Sequence, residues 1–165
     1  MDIFILRHAE AGKSLPARAK DAERPLTAEG RDELEDVARS LARLKLKPNH
    51  IISSPLKRAS ETATIVARAL KGKAKVEIWD ELKPEGSKQE LYKKLSKLEP
   101  ESRVLVVGHE PYLSQMMNEL MGHQGAARIV LRKSGLARLS IGPFIPKPEG
   151  ELRWLLTPRL LKRMS

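Results

Sequence analysis

An apolar run, Ile3-Phe4-Ile5-Leu6, stops without a spacer at Arg7-His8-Ala9-Glu10. A short run rich in Ile and Phe reads as a buried strand, and open α/β sheets gather their bound groups beyond the carboxyl ends of such strands. Arg7 and His8 therefore stand at the mouth of a sheet. A guanidinium is a planar fork of donors suited to a three-oxygen anion, and an imidazole can be neutral and nucleophilic near pH 7. Together they suggest phosphoryl chemistry. Alone, an Arg-His pair can equally do no more than cap a strand, so other segments must decide.

Arg103-Val104-Leu105-Val106-Val107 repeats the pattern and stops at Gly108-His109-Glu110-Pro111. Gly108 gives the backbone freedom there, and Pro111 starts a helix from Tyr112 to about Met121 whose free amides can meet an anion. Ile51-Ile52-Ser53-Ser54 is a further short strand, with Pro55 suited to the first turn of a helix running to about Leu70. Arg58 lies in that first turn, where a cation gains nothing from the helix dipole. It is either aimed at an anion held by the helix N-terminus or is a solvent-facing residue of an amphipathic helix.

The remaining elements frame these. Thr27 is an N-cap, Glu29 puts negative charge in the first turn, and Leu34, Val37, Ala38, Leu41, Ala42 and Leu44 keep helical spacing to about Leu46. Lys75 to Trp79 reads as a strand, followed by Asp80-Glu81-Leu82, a turn at Pro84-Glu85-Gly86 and a helix from Ser87 to Leu98. Arg128 to Arg132, Leu136 to Ile141 and Leu152 to Thr157 are strand candidates, with a turn at Pro146 to Gly150. The basic tail Pro158 to Ser165 either packs as a short helix or meets an acidic partner. Met116, Met117 and Met121 read as core filler. Residues 12 to 25 form a charged loop able to gate the strand mouth. Within it Ala11-Gly12-Lys13-Ser14 is no phosphate-cradling loop, because Arg7 stands where that motif needs Gly.

With 165 residues, 41% of them hydrophobic, the chain can bury one core, and it is expected to form a single domain over residues 1–165. The sequence contains no cysteine, which excludes a disulfide framework, a thiolate metal site and a cysteine nucleophile. The first apolar run is too short for a membrane span or a signal peptide, so a cytoplasmic protein without a membrane partner is expected. A net charge of +10 favours anionic partners, while 4% aromatic residues leave few stacking platforms and make nucleic acid a poor candidate.

Four motifs occur in order: Leu6-Arg7-His8-Ala9; Pro25-Leu26-Thr27 with Gly30; Ser54-Pro55-Leu56-Lys57-Arg58 with Glu61-Thr62; and Gly108-His109-Glu110-Pro111. In this order the chain resembles the histidine phosphatase superfamily over nearly its whole length. Its small size and its Asp80-Glu81-Leu82-Lys83-Pro84 turn resemble the compact SixA-type phosphohistidine phosphatases. The resemblance implies a three-layer α/β/α sandwich with a mostly parallel central sheet, the phosphoglycerate mutase-like fold without a large cap domain.

It further implies that His8 becomes phosphorylated, with Arg7, Arg58 and His109 around the phosphoryl group, Glu81 as general acid and Glu110 as a further substrate contact. Neither a metal nor another cofactor is expected, because two arginines can supply the charge. Ala9 replaces the superfamily's usual Gly, and Glu61 stands where Gln is frequent, a minor surface change. Glu10 is expected to orient groups near His8, and His50 and His123 to lie on the surface. The partner implied is a phosphohistidine-bearing protein domain of a phosphorelay. A small-molecule phosphomonoesterase with the same site, or a non-catalytic basic module that binds anions or nucleic acid, are the alternatives. If His8 attacks as a neutral imidazole, activity should fall on the acid side as a histidine titrates.

Overall fold

The computed structural model describes residues 1–13, 21–122, 129–144 and 148–164. Its strands are β1 (Asp2–Arg7), β2 (His50–Ser53), β3 (Val76–Ile78), β4 (Arg103–Gly108), β5 (Leu136–Ile141) and β6 (Gly150–Leu156). Its helices are α1 (Ala28–Arg43), α2 (Lys57–Leu70), α3 (Lys88–Leu95), α4 (Tyr112–Leu120) and α5 (Pro158–Arg163), with a 3₁₀ turn at Asp80–Leu82.

The six strands form one sheet in the order β3-β2-β4-β1-β5-β6. The first four of these run parallel to one another, and β5 and β6 add on antiparallel. The two longest hydrophobic runs, β1 and β4, lie side by side at the centre, which explains why they show no polar alternation: helices cover both faces. Phe4 and Leu6 face a core built with Leu34, Val37 and Leu41 of α1, Ala59, Ala63 and Val66 of α2, and Leu161 of α5. Ile3 and Ile5 face the opposite core, built with Leu91 and Leu95 of α3 and Leu113, Met116, Met117 and Leu120 of α4. The result is the expected three-layer α/β/α sandwich, and Met116 and Met117 are core filler.

Caps end the helices close to where the sequence put them. Thr27 Oγ1 accepts from the Gly30 N–H at 3.0 Å, and Ser87 Oγ accepts from the Glu90 N–H at 3.3 Å. Pro55 precedes the Leu56 N-cap of α2 and Pro111 is itself the N-cap of α4, so neither proline occupies the first turn. The tail packs as α5 through the buried Leu161, whose carbonyl accepts from Ser40 Oγ at 2.6 Å. One expected strand is absent: within 129–132 the burial alternates, with Val130 and Arg132 outward and Leu131 buried, but no ladder forms. The free edge of β1 that this segment approaches is already taken by β5. Residue 128, half of the charged loop (14–20), His123 and the first two residues (146 and 147) of the expected 146–150 turn lie outside the described residues. Among the described residues no helix is long and apolar enough to cross a membrane.

The start of α1 is clamped onto the chain just past β1. The Thr27 N–H donates to the Glu10 carbonyl at 3.0 Å, and Ala11 and Leu26 form an isolated antiparallel bridge. A Cβ on Gly30 would sit 2.3 Å from the Glu10 carbonyl oxygen, which is why this motif position takes glycine. Gly30→Ala should therefore destabilise the fold by about 1–3 kcal/mol. That corresponds to roughly 2–4 °C of Tm per kcal/mol in thermal unfolding followed by circular dichroism. An unchanged Tm would mean that the helix start can move away from residue 10 without cost.

Candidate active site

Parallel pairing brings the two strand-end histidines together. Arg7 is in register with Gly108, so His8 and His109 each follow directly from paired positions, and the His8 N–H donates to the Gly108 carbonyl at 3.0 Å. Their rings lie 5.1 Å apart between centroids, tilted by 54°. Both are buried, His8 7% and His109 2% exposed. On the far side of β4, the Ser54 N–H donates to the Val107 carbonyl at 3.0 Å, which sets Ser54 Oγ 2.8 Å from His109 Nε2.

Arg58, 5% exposed, projects from the first turn of α2; of the two roles open to it, the solvent-facing one does not hold. Its Nη1 donates to the Asp21 carbonyl at 3.0 Å and lies 3.3 Å from Asp21 Oδ2. Arg7 Nη1 donates to the Leu131 carbonyl at 3.0 Å. The Nε atoms of Arg7 and Arg58 and Nδ1 of His109 are buried with no hydrogen-bond partner among the described residues. Buried donors left unpaired are costly in water-free surroundings, and an oxyanion would satisfy them.

The hydrogen bond between His8 Nδ1 and the Ala9 carbonyl, 2.7 Å long, fixes the neutral tautomer: the carbonyl can only accept, so Nδ1 carries the proton and Nε2 keeps its lone pair. Burial pushes the His8 pKa down from 6.5 to about 4. The Ala9 bond opposes that shift, and the charges of Arg58, Arg7 and Arg24 add to it. Burial likewise pushes His109 down to about 3, aided by His8, Arg58 and Arg24 and opposed by Asp21. Both imidazoles are uncharged at neutral pH.

Four groups at or around this site carried no assigned role in the sequence. Asp21 and Arg24 sit on the loop before α1, with Arg24 Nε 3.0 Å from Asp21 Oδ1 and Arg24 Nη1 donating to the Gly12 carbonyl. Thr62 Oγ1 accepts from the Ala9 N–H at 3.1 Å and donates to the Arg58 carbonyl at 2.7 Å, tying the backbone beside His8 to the turn that carries Arg58. Ser54 is the fourth. The available signals were adjacency of Arg24 to the Pro25-Leu26-Thr27 motif and the presence of Ser54 and Thr62 within the third motif, though with no role attached.

Other expected residues are engaged elsewhere. Glu61 is no mere surface change: its Oε2 accepts from the Leu26 N–H at 2.9 Å and pairs with Arg31 at 2.8 Å, joining α2 to the start of α1. Glu110 accepts from the Ser114 N–H at 3.2 Å and from Ser114 Oγ at 2.6 Å, capping α4. Glu10 is exposed and held by Lys133 at 2.6 Å. Glu81 pairs with Lys94 at 2.7 Å. Burial raises the pKa of Glu81, but the Lys94 hydrogen bond and charge outweigh it and hold the carboxyl below its ordinary value. His50 is partly exposed and lies 3.4 Å from Glu77. Among the described residues no group of three or more His, Asp or Glu is placed to hold a metal ion.

This geometry agrees with what the chain is similar to. The family model of the histidine phosphatase superfamily (branch 1) matches residues 3–84. The phosphohistidine phosphatase SixA of Escherichia coli (strain K12) is 30% identical over 164 residues, covering 98% of this chain and 97% of that protein. An uncharacterized protein of Picosynechococcus sp. is 31% identical over 165 residues, covering 98% and 99%. The solved structure of a protein histidine phosphatase SixA complexed with tungstate superposes with a TM-score of 0.83 at 28% identity, covering 96% of this chain and 98% of that one. The chain belongs to the histidine phosphatase superfamily and is a phosphatase of its SixA type.

Two histidines kept neutral by burial make folding sensitive to acid. Each has a folded pKa below its unfolded value of about 6.5, so between these values the unfolded chain binds more protons, and stability is present above 6.5 and lost as pH falls toward 4 and 3. The loss should approach about 1.4 kcal/mol per pH unit for each histidine. Urea unfolding at pH 7, 6 and 5 measures it, and His109→Gln should reduce the slope by about half. A stability independent of pH across this window would mean that the rings are not buried in their neutral form.

Proposed function

We propose that residues 1–165 act as one domain that hydrolyses phosphohistidine in a protein substrate through a covalent phosphohistidine at His8. The observation that carries this reading is the buried, neutral His8, its Nδ1 proton committed to Ala9 and its Nε2 left with a lone pair among Arg7, Arg24 and Arg58.

Nε2 of His8 attacks phosphorus in line as the substrate's P–N bond breaks, and the departing imidazole leaves as a neutral ring. Arg7, Arg58 and His109 hold the equatorial oxygens while charge redistributes, and Arg24 adds positive potential. Each such donor contributes roughly 2.7–4 kcal/mol to the transition state. Water then attacks phospho-His8, the P–Nε2 bond breaks, and inorganic phosphate leaves with the neutral imidazole restored. All the charge needed at phosphorus comes from these side chains, so no metal enters the sequence of steps. That a SixA neighbour of the same fold is complexed with tungstate supports an oxyanion as the kind of ligand the arginines would hold.

The substrate follows from the leaving group. An ester needs an acid to protonate its departing oxygen, whereas the departing nitrogen of phosphohistidine can be protonated beforehand. Glu81, held ionised by Lys94, is a poor proton donor at neutral pH, so we replace its expected role as general acid with that of a structural ion pair. Glu110 likewise serves as a helix cap rather than a substrate contact.

Phosphate release from a phosphotransfer domain phosphorylated on histidine, compared with release from an aryl phosphate, tests this directly. The domain should be the better substrate, His8→Ala should abolish its turnover, and Arg58→Ala should lower kcat by about 10²–10³. Glu81→Gln should leave turnover of the domain near that of the native protein. Preference for the ester would favour a small-molecule phosphatase, and turnover surviving His8→Ala would remove the nucleophile.

The pH profile supplies an independent check. With the substrate's own ionisation controlled, kcat/KM reports the free enzyme, in which His8 titrates at about 4. Activity should therefore persist well below the ordinary histidine range and fall only as pH approaches that value. An acid limb centred near 6.5 would mean that the nucleophile is exposed to water.

A further inference from the structure

We propose that a groove beside the site mouth docks an acidic protein surface, one that presents an apolar side chain to Val130 and carries the phosphohistidine to be hydrolysed. Arg7, Glu33, Val130, Arg132, Lys133 and Pro158 line this groove, which encloses about 400 Å³. The docking role presupposes the protein-phosphohistidine reading given above and identifies the surface that would recognise such a protein.

Three features point to this occupant. Val130, 66% exposed, is the most exposed large apolar side chain among the described residues, and it lies in the wall of a charged groove rather than on a remote face. The charge is unbalanced: among the described residues three cations line the groove against one carboxylate, Glu33, which Lys162 engages at 3.2 Å. Lys133 is partly spent on Glu10, but the exposed Arg132 guanidinium has no ion-pair or hydrogen-bond partner among the described residues. Among the described residues no aromatic side chain lines the groove to offer a platform on which a base could stack, and an acidic protein suits it better than nucleic acid.

The groove is also fixed relative to the chemistry. Arg7 Nη1 donates to the Leu131 carbonyl at 3.0 Å, between the two groove residues Val130 and Arg132. The Ser134 N–H donates to the Arg7 carbonyl at 3.1 Å, and the Arg7 N–H donates to the Gly135 carbonyl at 3.2 Å. Residues 131–135 are thus fastened to the strand end that carries His8. A protein held on Val130 and Arg132 is held at a set position from the nucleophile, which is what a bulky substrate needs and a small one does not.

The test compares a phosphotransfer domain phosphorylated on histidine with free phosphohistidine, using the full chain and the variants Arg132→Glu and Val130→Asp. Each variant should raise KM for the domain by about tenfold or more without lowering kcat, and should leave kcat/KM for free phosphohistidine unchanged. Raising ionic strength should weaken the native protein's use of the domain more than that of Arg132→Ala. Equal loss on both substrates, or no loss on either, would overturn the docking role. So would inhibition of domain turnover by a mixed-sequence oligonucleotide that Arg132→Glu relieves while still using the domain normally, since the groove would then belong to nucleic acid. A native protein that hydrolyses free phosphohistidine but not the domain would overturn the docking surface and keep the chemistry at His8. One that hydrolyses neither would overturn the phosphohistidine reading itself.

Discussion

Everything at the mouth of this sheet depends on two imidazoles being kept uncharged beside arginines. Water would stabilise their protonated forms, and the surrounding guanidiniums repel a further positive charge, so removing the water and placing the arginines act in the same direction. This is the reverse of an ordinary histidine–carboxylate pair, which gains a proton on folding. The arrangement is costly in acid, but the proposed nucleophile, His8, then needs no separate base, because the Ala9 carbonyl already holds the one ring proton on the far nitrogen.

The rest of the chain holds that geometry through backbone bonds. Residues 7–9 are fastened by the Gly108 carbonyl, the Ser134 and Gly135 backbone, and the Thr62 hydroxyl, each from a different part of the fold. Thr62 also donates to the Arg58 carbonyl, so the proposed nucleophile His8 and the Arg58 turn share one intermediary. Glu61, one residue earlier, pulls the start of α1 against α2, and α1 in turn clamps residue 10 through Thr27 and Gly30. Motifs far apart in the sequence are therefore the successive faces of a single clamp around the end of β1.

What could be read from the sequence follows this division. The strands β1 and β4 and their terminal histidines were legible because a sheet covered on both faces demands unbroken apolar runs, and each run ended abruptly in ionisable residues. Arg58 was visible as a misplaced charge in a first helical turn and as the last residue of the Ser54-Pro55-Leu56-Lys57-Arg58 motif. Asp21, Arg24 and Thr62 were not legible in the same way: two lie on a loop without periodicity, and a threonine within a helix signals nothing until its partner, the Ala9 N–H, is known. The strand expected at 128–132 shows the opposite failure. Its alternation of exposed and buried residues is real, but a ladder needs a free edge, and no local pattern reveals that β5 occupies the one on β1.

Glu81 illustrates why residue type alone does not assign a proton donor. At the end of β3 it has the position expected of an acid, yet Lys94, arriving from α3 and also stacked over Trp79 at 5.1 Å from the ring centroid, commits it to the ionised form. A carboxylate so held can balance charge but cannot protonate a departing oxygen. In the proposed reaction the site would have strong means of stabilising a phosphoryl group and weak means of assisting an alkoxide to leave. Selectivity of that kind would require no contact with the leaving group at all: it would arise because only a substrate whose leaving atom brings its own proton could use the stabilisation proposed for the arginines.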